Sequence, residues 1–234
     1  MLLPLSSSTV LLKELQLDHR KRESVTQAGR ILVFAKAPVA GQVKTRLVPP
    51  LSLAGAAALH RELVERTLRA ATTCPCIQTV ELWCAPDASD PFFQQCSATF
   101  SVSLRTQQGN DLGSRMHHAL ATAIETGSPF ALLIGTDCPA LTPTYLCSAA
   151  TALTSGADVV LAPAEDGGYV LIGLRNPQPQ IFNDIPWGQD TVLQATREHI
   201  GRLGLIGYEL PMVWDLDRPH DLVRYQQFSD NCRG

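Results

Sequence analysis

Residues 131–139 read ALLIGTDCP and give the clearest indication of the fold. The first four residues of this stretch form a continuous apolar run, which is typical of a strand buried on both faces of a parallel sheet. Asp137 follows closely, so we expect its carboxylate at the carboxyl end of that strand. Open α/β sheets bind their ligands at this edge. The stretch therefore predicts an α/β protein with a carboxylate in a ligand cleft.

A second acidic signature, WDLDRP, occupies residues 214–219. If folding brings Asp217 beside Asp137, the two carboxylates would hold a divalent cation, with Asp215 as the alternative second ligand. Mg²⁺ and Mn²⁺ are commonly held by one or two carboxylates together with substrate phosphates. A cation there is what an enzyme needs to handle a nucleoside diphosphate. Asp217 also has a structural alternative, the N-cap of a helix after Pro219.

Length and composition describe an ordinary globular domain. The chain has 234 residues, of which 45% are hydrophobic and 18% charged, enough for one well-buried α/β core. The net charge of −3 provides no basic surface for nucleic acid. No apolar run approaches the ~18 to 20 residues of a membrane span, and the N-terminus lacks the basic start of a signal peptide. We therefore expect a cytoplasmic protein without a membrane partner, in an oligomeric state that the sequence does not indicate.

The seven cysteines follow no repeated pairing pattern. Cys74 and Cys76 are separated by one residue, which matches neither a zinc knuckle nor a redox CxxC motif. Reduced thiols are therefore expected, as is usual in the cytosol. The sequence has neither a histidine pattern with zinc-ligand spacing nor a Gly-x-Ser-x-Gly nucleophile elbow, so zinc chemistry and hydrolysis are not indicated.

Strand and helix patterns alternate from residue 30 onward. This alternation predicts a largely parallel central sheet with helices on both faces, in a single Rossmann-like α/β domain at residues 30–230. Residues 1–29 carry no matching pattern and are expected to form a poorly ordered extension. The predicted strands are 31–35, 80–84, 131–135, 159–162 and 169–174, and the predicted helices are 53–72, 111–126, 191–200, 220–228 and one that starts near residue 142.

The loop after the first strand reads KAPVAGQVKTRL at residues 36–47. It carries three cations and lies where a doubly wound sheet binds nucleotides. Lys44 and Arg46 are candidates for neutralising a pyrophosphate, because arginine binds phosphate as a two-pronged donor and lysine as a point charge. The GxxxxGK[ST] spacing of a Walker loop is absent. The residues assigned to nucleotide binding in this loop are Lys36, Pro38, Gly41, Lys44 and Arg46.

A second loop, QGNDLGSRM at residues 108–116, precedes a predicted helix. Asp111 is placed to cap that helix. Gly109 allows a close approach of the backbone, so the loop is also a candidate cover for a nucleotide base or ribose. Arg115, in the first helical turn, faces either a phosphate or solvent. We assign Gly109, Asp111 and Arg115 to nucleotide binding as well.

The segment EDGGY at residues 165–169 lies between two predicted strands. Asp-Gly and Gly-Gly are strong turn signals, so a hairpin is expected. A carboxylate there can also take a proton from an attacking hydroxyl, which makes Asp166 or Glu165 the candidate catalytic base. Trp187, in the polar loop 185–191, either forms a platform for a sugar-like acceptor or packs in the ordinary way. The residues assigned to substrate binding are Gly167, Gly168, Tyr169 and Trp187.

Taken together, these motifs carry a resemblance to a known superfamily. The chain resembles the GT-A-type nucleotide-diphospho-sugar transferases, and among them the radical-SAM/selenodomain-associated transferases linked to arsenosugar biosynthesis. The resemblance implies a metal-assisted GT-A fold that binds a nucleotide donor, with Asp137 in the metal-binding aspartate motif. The usual Asp-x-Asp is here Thr-Asp-Cys, so Asp217 must supply the rest of the site. The motifs occupy residues 36–47, 108–116, 135–139, 165–169, 185–190 and 217–222.

Three functions follow from the residues and the resemblance. The first is a metal-dependent glycosyltransferase that uses Mg²⁺ or Mn²⁺, a nucleotide-sugar donor and a small-molecule acceptor. The second is a nucleotidyltransferase that joins an NTP to a small phosphorylated substrate, because the same superfamily contains guanylyltransferases. The third is a non-catalytic nucleotide-binding module on the same fold. The sequence does not identify the nucleotide base, the sugar or the acceptor. It also does not indicate whether the configuration at the anomeric carbon is retained or inverted.

Overall fold

The computed structural model describes residues 29–231. The predicted N-terminal extension falls outside this range, apart from residue 29, which begins the first strand. No helix in the described part of the chain is both long and apolar enough to cross a lipid bilayer.

Seven strands form one sheet, and most neighbouring strands run parallel. In spatial order the strands are β3-β2-β1-β4-β6-β5-β7. The β6 strand is antiparallel to β4 and β5, and the other neighbouring pairs are parallel. The prediction of a single α/β domain with a mostly parallel sheet is confirmed. The strands are β1 (Gly29–Lys36), β2 (Ile77–Ala85), β3 (Ser103–Thr106), β4 (Ala131–Ile134), β5 (Val159–Pro163), β6 (Tyr169–Leu174) and β7 (Gly207–Glu209).

Four α-helices begin after a residue whose side chain accepts a hydrogen bond from an amide of the first turn. Asp111 caps the helix that follows it, as predicted, by accepting a hydrogen bond from the amide of Ser114, and the two residues also form a capping box. Thr142 caps the next helix and Pro143 occupies its first position, also as predicted. The α-helices are α1 (Leu53–Thr72), α2 (Pro91–Phe100), α3 (Leu112–Glu125), α4 (Pro143–Thr154), α5 (Val192–Arg202) and α6 (Pro219–Asn231), and short 3₁₀ turns cover Thr45–Leu47 and Pro179–Phe182.

Helices cover both faces of the sheet, as expected. Ile31 of β1 packs in the layer that contains α1, α2 and α4, whereas its neighbour Leu32 packs in the layer that contains α3 and α5. Burial on both faces explains the continuous apolar runs of the central strands. A third hydrophobic cluster contains Leu216, which directly precedes Asp217, together with Leu47, Leu63 and Tyr225. Because Tyr225 lies in α6, this cluster holds α6 against the rest of the domain.

Three elements were not predicted, and two of them carry only a weak signal. The β3 and β7 strands are four and three residues long and lie at the two edges of the sheet, with exposed or half-exposed side chains. Short polar edge strands lack the apolar run that marks a buried strand. The α2 helix follows Asp90-Pro91, a cap and first-turn proline of the same kind as Thr142-Pro143, and this signal was available.

The expectation that all cysteines are reduced is wrong for one pair. Cys76 and Cys147 form a disulfide with their Cα atoms 5.6 Å apart. Cys76 lies between α1 and β2, and Cys147 lies in α4, so the pair forms only because these elements pack side by side. Spacing along the sequence carries no trace of this contact.

Candidate functional site

A cavity of about 1100 Å³ lies at the carboxyl edge of the sheet. Because β1 and β4 are neighbouring parallel strands, the loops that follow them open at the same edge. The predicted residues that line the cavity are Lys36, Lys44, Arg46, Asp137, Glu165, Asp166, Gly168, Tyr169, Trp187 and Asp217, joined by Asp215. The predicted residues that are not part of its wall are Pro38, Gly41, Gly109, Asp111, Arg115 and Gly167.

The two acidic signatures are in direct contact. The amide of Leu216 donates a hydrogen bond to the carbonyl oxygen of Asp137 at 2.8 Å. Lys44 reinforces this contact, since its Nζ lies 2.8 Å from Asp137 Oδ1 and also donates to the carbonyl oxygen of Leu216. The Lys44 side chain is only 4% exposed. The cationic loop and both acidic motifs therefore meet at one buried ammonium group.

A second ion pair lies beside the first. Arg46 Nη1 is 2.5 Å from Asp217 Oδ2, and the two side chains are 58% and 30% exposed. The hydrogen bond to Asp217 raises the pKa of Arg46. The helix that follows receives a different cap, because Asp221 Oδ2 accepts hydrogen bonds from the amides of Asp217 and Arg218. The carboxylate of Asp217 thus faces the cationic loop.

Negative charge concentrates between these pairs. Asp215 is half-buried, and burial together with the charges of Asp166 and Asp217 raises its pKa to about 6. The carboxyl oxygens that face the cavity are hard donors of the kind that Mg²⁺ and Mn²⁺ prefer. Within residues 29–231, however, these acidic groups do not form a set of three with ligand oxygens all inside 4.8 Å. The donor chemistry fits a cation held by one or two carboxylates and completed by ligand phosphates.

The turn between β5 and β6 carries both candidate bases, and their hydrogen-bond partners differ. The predicted hairpin is confirmed by the antiparallel pairing of these strands. Glu165 is held by Arg224 through two hydrogen bonds of 2.8 and 3.1 Å, and the guanidinium of Arg224 stacks over the ring of Trp214. Asp166 Oδ1 accepts only a local hydrogen bond from the amide of Gly168, at 2.8 Å, among those identified in the described chain. Asp166 is therefore the carboxylate with an oxygen available to the cavity.

Gly167 joins this turn to the loop that carries Trp187. Its φ is +88°, and a Cβ atom there would lie 2.1 Å from the carbonyl oxygen of Asp190. The amide of Leu193 donates to the carbonyl oxygen of Gly167 at 2.9 Å. Trp187 meets Tyr169 edge-on, with ring centroids 6.4 Å apart, and is half-buried in the cavity wall. Trp187 thus packs against Tyr169 and also faces the cavity.

The loop at residues 108–116 is stabilised by its own side chains. Arg115 Nε donates to the carbonyl oxygen of Gly109 at 2.9 Å. A Cβ atom at Gly109, where φ is +139°, would lie 2.5 Å from Ser114 Oγ. The loop reaches the cavity through Leu112 and Met116, and Gln107, the residue before the loop, lines the cavity as well. A role in nucleotide binding for Gly109, Asp111 and Arg115 stays a prediction.

Several residues of the cavity wall were not singled out from the sequence, and His60 and Gln107 are two of them. His60 is buried on α1, and its Nε2 lies 2.9 Å from the carbonyl oxygen of Lys36. Burial lowers the pKa of His60. Gln107 donates to the carbonyl oxygen of Trp83 at 2.8 Å. Both side chains hold strand ends at the cavity, a role for which an isolated His or Gln gives no sequence signal.

Comparison with known proteins defines the family. Residues 67–189 match the model of the family described as "Uncharacterized protein conserved in bacteria (DUF2064)". This match covers more than half of the chain, and the chain belongs to this family. A search of curated proteins found no match.

A solved structure identifies the type of fold. A protein from Desulfovibrio desulfuricans G20, provisionally described as a nucleotide-diphospho-sugar transferase, is 33% identical, with 81% of this chain and 82% of that chain covered and a TM-score of 0.74. The chain is thus built on the nucleotide-diphospho-sugar transferase type of fold.

More distant structures share the fold alone. Glucosyl-3-phosphoglycerate synthase from Mycobacterium tuberculosis, in complex with Mn²⁺ and UDP, is 10% identical with a TM-score of 0.51 over 83% of this chain and 75% of that chain. The 4-diphosphocytidyl-2C-methyl-D-erythritol synthase from Anaerococcus prevotii is 10% identical with a TM-score of 0.55 over 87% and 97%. The fold is therefore common to glycosyl and nucleotidyl transferases.

Proposed function

We propose that the protein is a metal-dependent glycosyltransferase that moves a sugar from a nucleotide-diphospho-sugar to a small-molecule acceptor. The observation that carries the proposal is the meeting of the cationic loop with both acidic signatures in one cavity. Lys44 contacts Asp137 and Leu216 there, and Arg46 contacts Asp217. Cations suit a diphosphate, and carboxylates suit the divalent ion that accompanies it.

The residues divide into a donor side and an acceptor side. On the donor side, Lys36, Lys44 and Arg46 bind the diphosphate, and Asp137 and Asp217, or Asp215 in place of the latter, would hold Mg²⁺ or Mn²⁺. Such an ion, when bound, neutralises the charge of the departing diphosphate. Arg46 must turn from Asp217 toward a phosphate, a change that an exposed side chain makes readily.

On the acceptor side, Asp166 is the proposed base. As the acceptor oxygen forms its bond to the anomeric carbon, the bond from that carbon to the diphosphate breaks, and Asp166 takes the hydroxyl proton. Glu165 acts as a positioning residue, because Arg224 already occupies its carboxylate. Trp187 and Tyr169 form the aromatic wall against which a sugar-like acceptor would lie.

The test is the identity of the leaving product. The purified protein is incubated with Mn²⁺ and a panel of nucleotide-sugars, selected first by a thermal-shift screen with and without Mn²⁺. Release of nucleoside diphosphate that depends on the added acceptor supports glycosyl transfer. Binding without turnover of any donor and acceptor pair contradicts the proposal and favours a nucleotide-binding module.

Nucleotidyl transfer from an NTP is the second candidate. It is favoured by the cations in the cavity wall, which suit a triphosphate and are Lys36, Lys44 and Arg46 of the first loop together with Arg218. Release of pyrophosphate from an NTP in the presence of a small phosphorylated acceptor would identify this reaction. The finer placement among the radical-SAM/selenodomain-associated transferases of arsenosugar biosynthesis is supported by the sequence motifs, and we retain it as a proposal. A cytoplasmic location is likewise part of the proposal.

A further inference from the structure

Three cysteines converge outside the nucleotide cavity. Cys74 and Cys76 lie in the turn between α1 and β2, and Cys147 lies near the start of α4. The sulfur atoms of Cys74 and Cys147 are 3.3 Å apart, and Cys147 is bonded to Cys76. All three sulfur atoms lie within 4.8 Å of one another, the one such group of three His, Cys, Asp or Glu ligands within residues 29–231. We call this group the three-cysteine cluster.

The cluster extends from the protein interior to the surface. Cys74 is 3% exposed, Cys147 is half-buried and Cys76 is exposed. The sulfur of Cys74 also contacts the carbonyl oxygen of Pro143 at 3.6 Å, which anchors it against the first turn of α4. The three sulfur atoms therefore extend from the protein interior at Cys74 to the solvent-exposed side at Cys76. None of them belongs to the wall of the nucleotide cavity.

We propose that, when the Cys76–Cys147 bond is reduced, the three-cysteine cluster binds one thiophilic d¹⁰ cation, of which Zn²⁺ is the representative. Thiolate sulfur selects such ions over the Mg²⁺ or Mn²⁺ expected in the cavity. Zn–S bonds of about 2.3 Å in tetrahedral geometry place sulfur atoms about 3.8 Å apart, so the sulfur atoms of Cys74 and Cys147, which lie 3.3 Å apart, need to separate by only about half an ångström. Three protein ligands leave the fourth position to water, and the exposed side at Cys76 provides room for it.

The disulfide and the metal site are alternative states of the same three residues. In the disulfide state, Cys74 is the one residue of the three-cysteine cluster that keeps a thiol, so a single thiol ligand remains at the cluster. A phosphine reductant converts the disulfide and one water molecule into two thiols and a phosphine oxide. Binding of the cation to the three thiols then releases their protons, because the ligands are thiolates. Oxidation state therefore switches the proposed site on and off.

A simple exchange of disulfide partners is the competing use of the cluster. Cys74 could attack Cys147 and release Cys76, with no change in the total number of thiols. A thiol buried in apolar surroundings is ordinarily inert as a nucleophile. Cys74 is such a thiol, and metal binding needs no prior nucleophilic attack by it. The arrangement therefore favours ligation.

The experiment uses the full chain in both oxidation states. The protein is reduced with a phosphine, desalted without oxygen, and titrated with Zn²⁺ against a chromophoric chelator, with Cd²⁺ as a probe of thiolate-to-metal charge-transfer absorption. We expect one equivalent of metal in the reduced protein and none at the cluster in the oxidised protein. Cys74→Ser and Cys147→Ser should each weaken Zn²⁺ binding at least about tenfold.

Cys96→Ser is the matched control, because Cys96 is a buried free cysteine on α2 outside the cluster. It should bind Zn²⁺ as the wild type does, and a thermal melt of each variant verifies folding. The proposal is overturned if the reduced protein binds no stoichiometric metal, or if Cys74→Ser binds as tightly as Cys96→Ser. Peptide mapping that finds a Cys74–Cys147 disulfide after mild oxidation, without metal binding by the reduced form, would also overturn it in favour of exchange.

Discussion

Two ion pairs join the same loop to the two acidic signatures, yet their surroundings differ. The Lys44 side chain is 4% exposed and contacts Asp137 and the Leu216 carbonyl oxygen, whereas the Arg46 side chain is 58% exposed and contacts Asp217. A buried charge that loses its partner is destabilising, and an exposed pair contributes little to stability. The comparison indicates that Lys44 supports both the fold and the site, while Arg46 is free to exchange its carboxylate for a ligand.

The largest expected effect comes from removing the carboxylate that faces Lys44. Asp137→Asn should abolish metal-dependent nucleotide binding, because this variant lacks the charge that both Lys44 and a divalent ion use. Calorimetry with and without Mn²⁺ measures the loss. Asp184→Asn is the control, since Asp184 is exposed outside the cavity wall and its φ of +53° suits asparagine. Unchanged affinity in Asp137→Asn would remove the proposed metal site.

The next largest effect concerns the two carboxylates of the β5–β6 turn. Asp166→Asn should lower kcat by about 10²- to 10⁴-fold, the usual contribution of a general base, while nucleotide affinity is retained. Glu165→Gln should lower kcat far less, because Glu165 is already bound by Arg224. Steady-state kinetics with the acceptor varied separate kcat from KM. Equal losses in both variants would contradict the assignment of Asp166 as the base.

The cavity could largely be predicted from the sequence, because its residues follow buried strands. The apolar run before Asp137 and the cations after β1 indicated the edge at which they would meet. The partner of each carboxylate could not be predicted, since the Lys44–Asp137 and Arg46–Asp217 contacts depend on loop conformation. The contact between Cys76 and Cys147 was also out of reach, because it requires the packing of α1 beside α4. Periodicity reports which face of an element is buried and not which loops touch.

A matched pair of variants tests the difference between the two cations directly. Lys44→Met should lower the free energy of unfolding by about 1–3 kcal/mol, because it leaves the Leu216 carbonyl oxygen without its charged donor. Arg46→Met should leave the unfolding free energy close to that of the wild type. Both should weaken binding of a nucleoside diphosphate more than binding of the nucleoside. Urea denaturation and calorimetry measure these effects, and equal destabilisation by the two changes would contradict the comparison.

The smallest expected effect is a pH dependence of the free energy of unfolding that is due to His60. Burial lowers the folded-state pKa of His60 below its ordinary value of 6.5, so the unfolded chain binds the proton more readily. Stability due to this residue is therefore present above pH 6.5 and is lost as the pH falls below it, by at most about 1.4 kcal/mol per pH unit. His60→Gln keeps a donor for the Lys36 carbonyl oxygen and removes the titration. Urea denaturation of both proteins at pH 7.5 and 5.5 should show a smaller decrease for the variant, and identical decreases would rule out this contribution.

The absence of a side chain at Gly167 has a consequence for how new substrates can be accepted. The carbonyl oxygen of Asp190 occupies the space in which a Cβ atom would lie, so the turn bearing Asp166 rests directly on the segment bearing Trp187. A change in the position of Trp187 is therefore expected to shift Asp166, the proposed base, as well. Under the proposed mechanism, the substrate range and the catalytic rate therefore depend on one backbone contact, and a mutation that alters either is expected to alter the other.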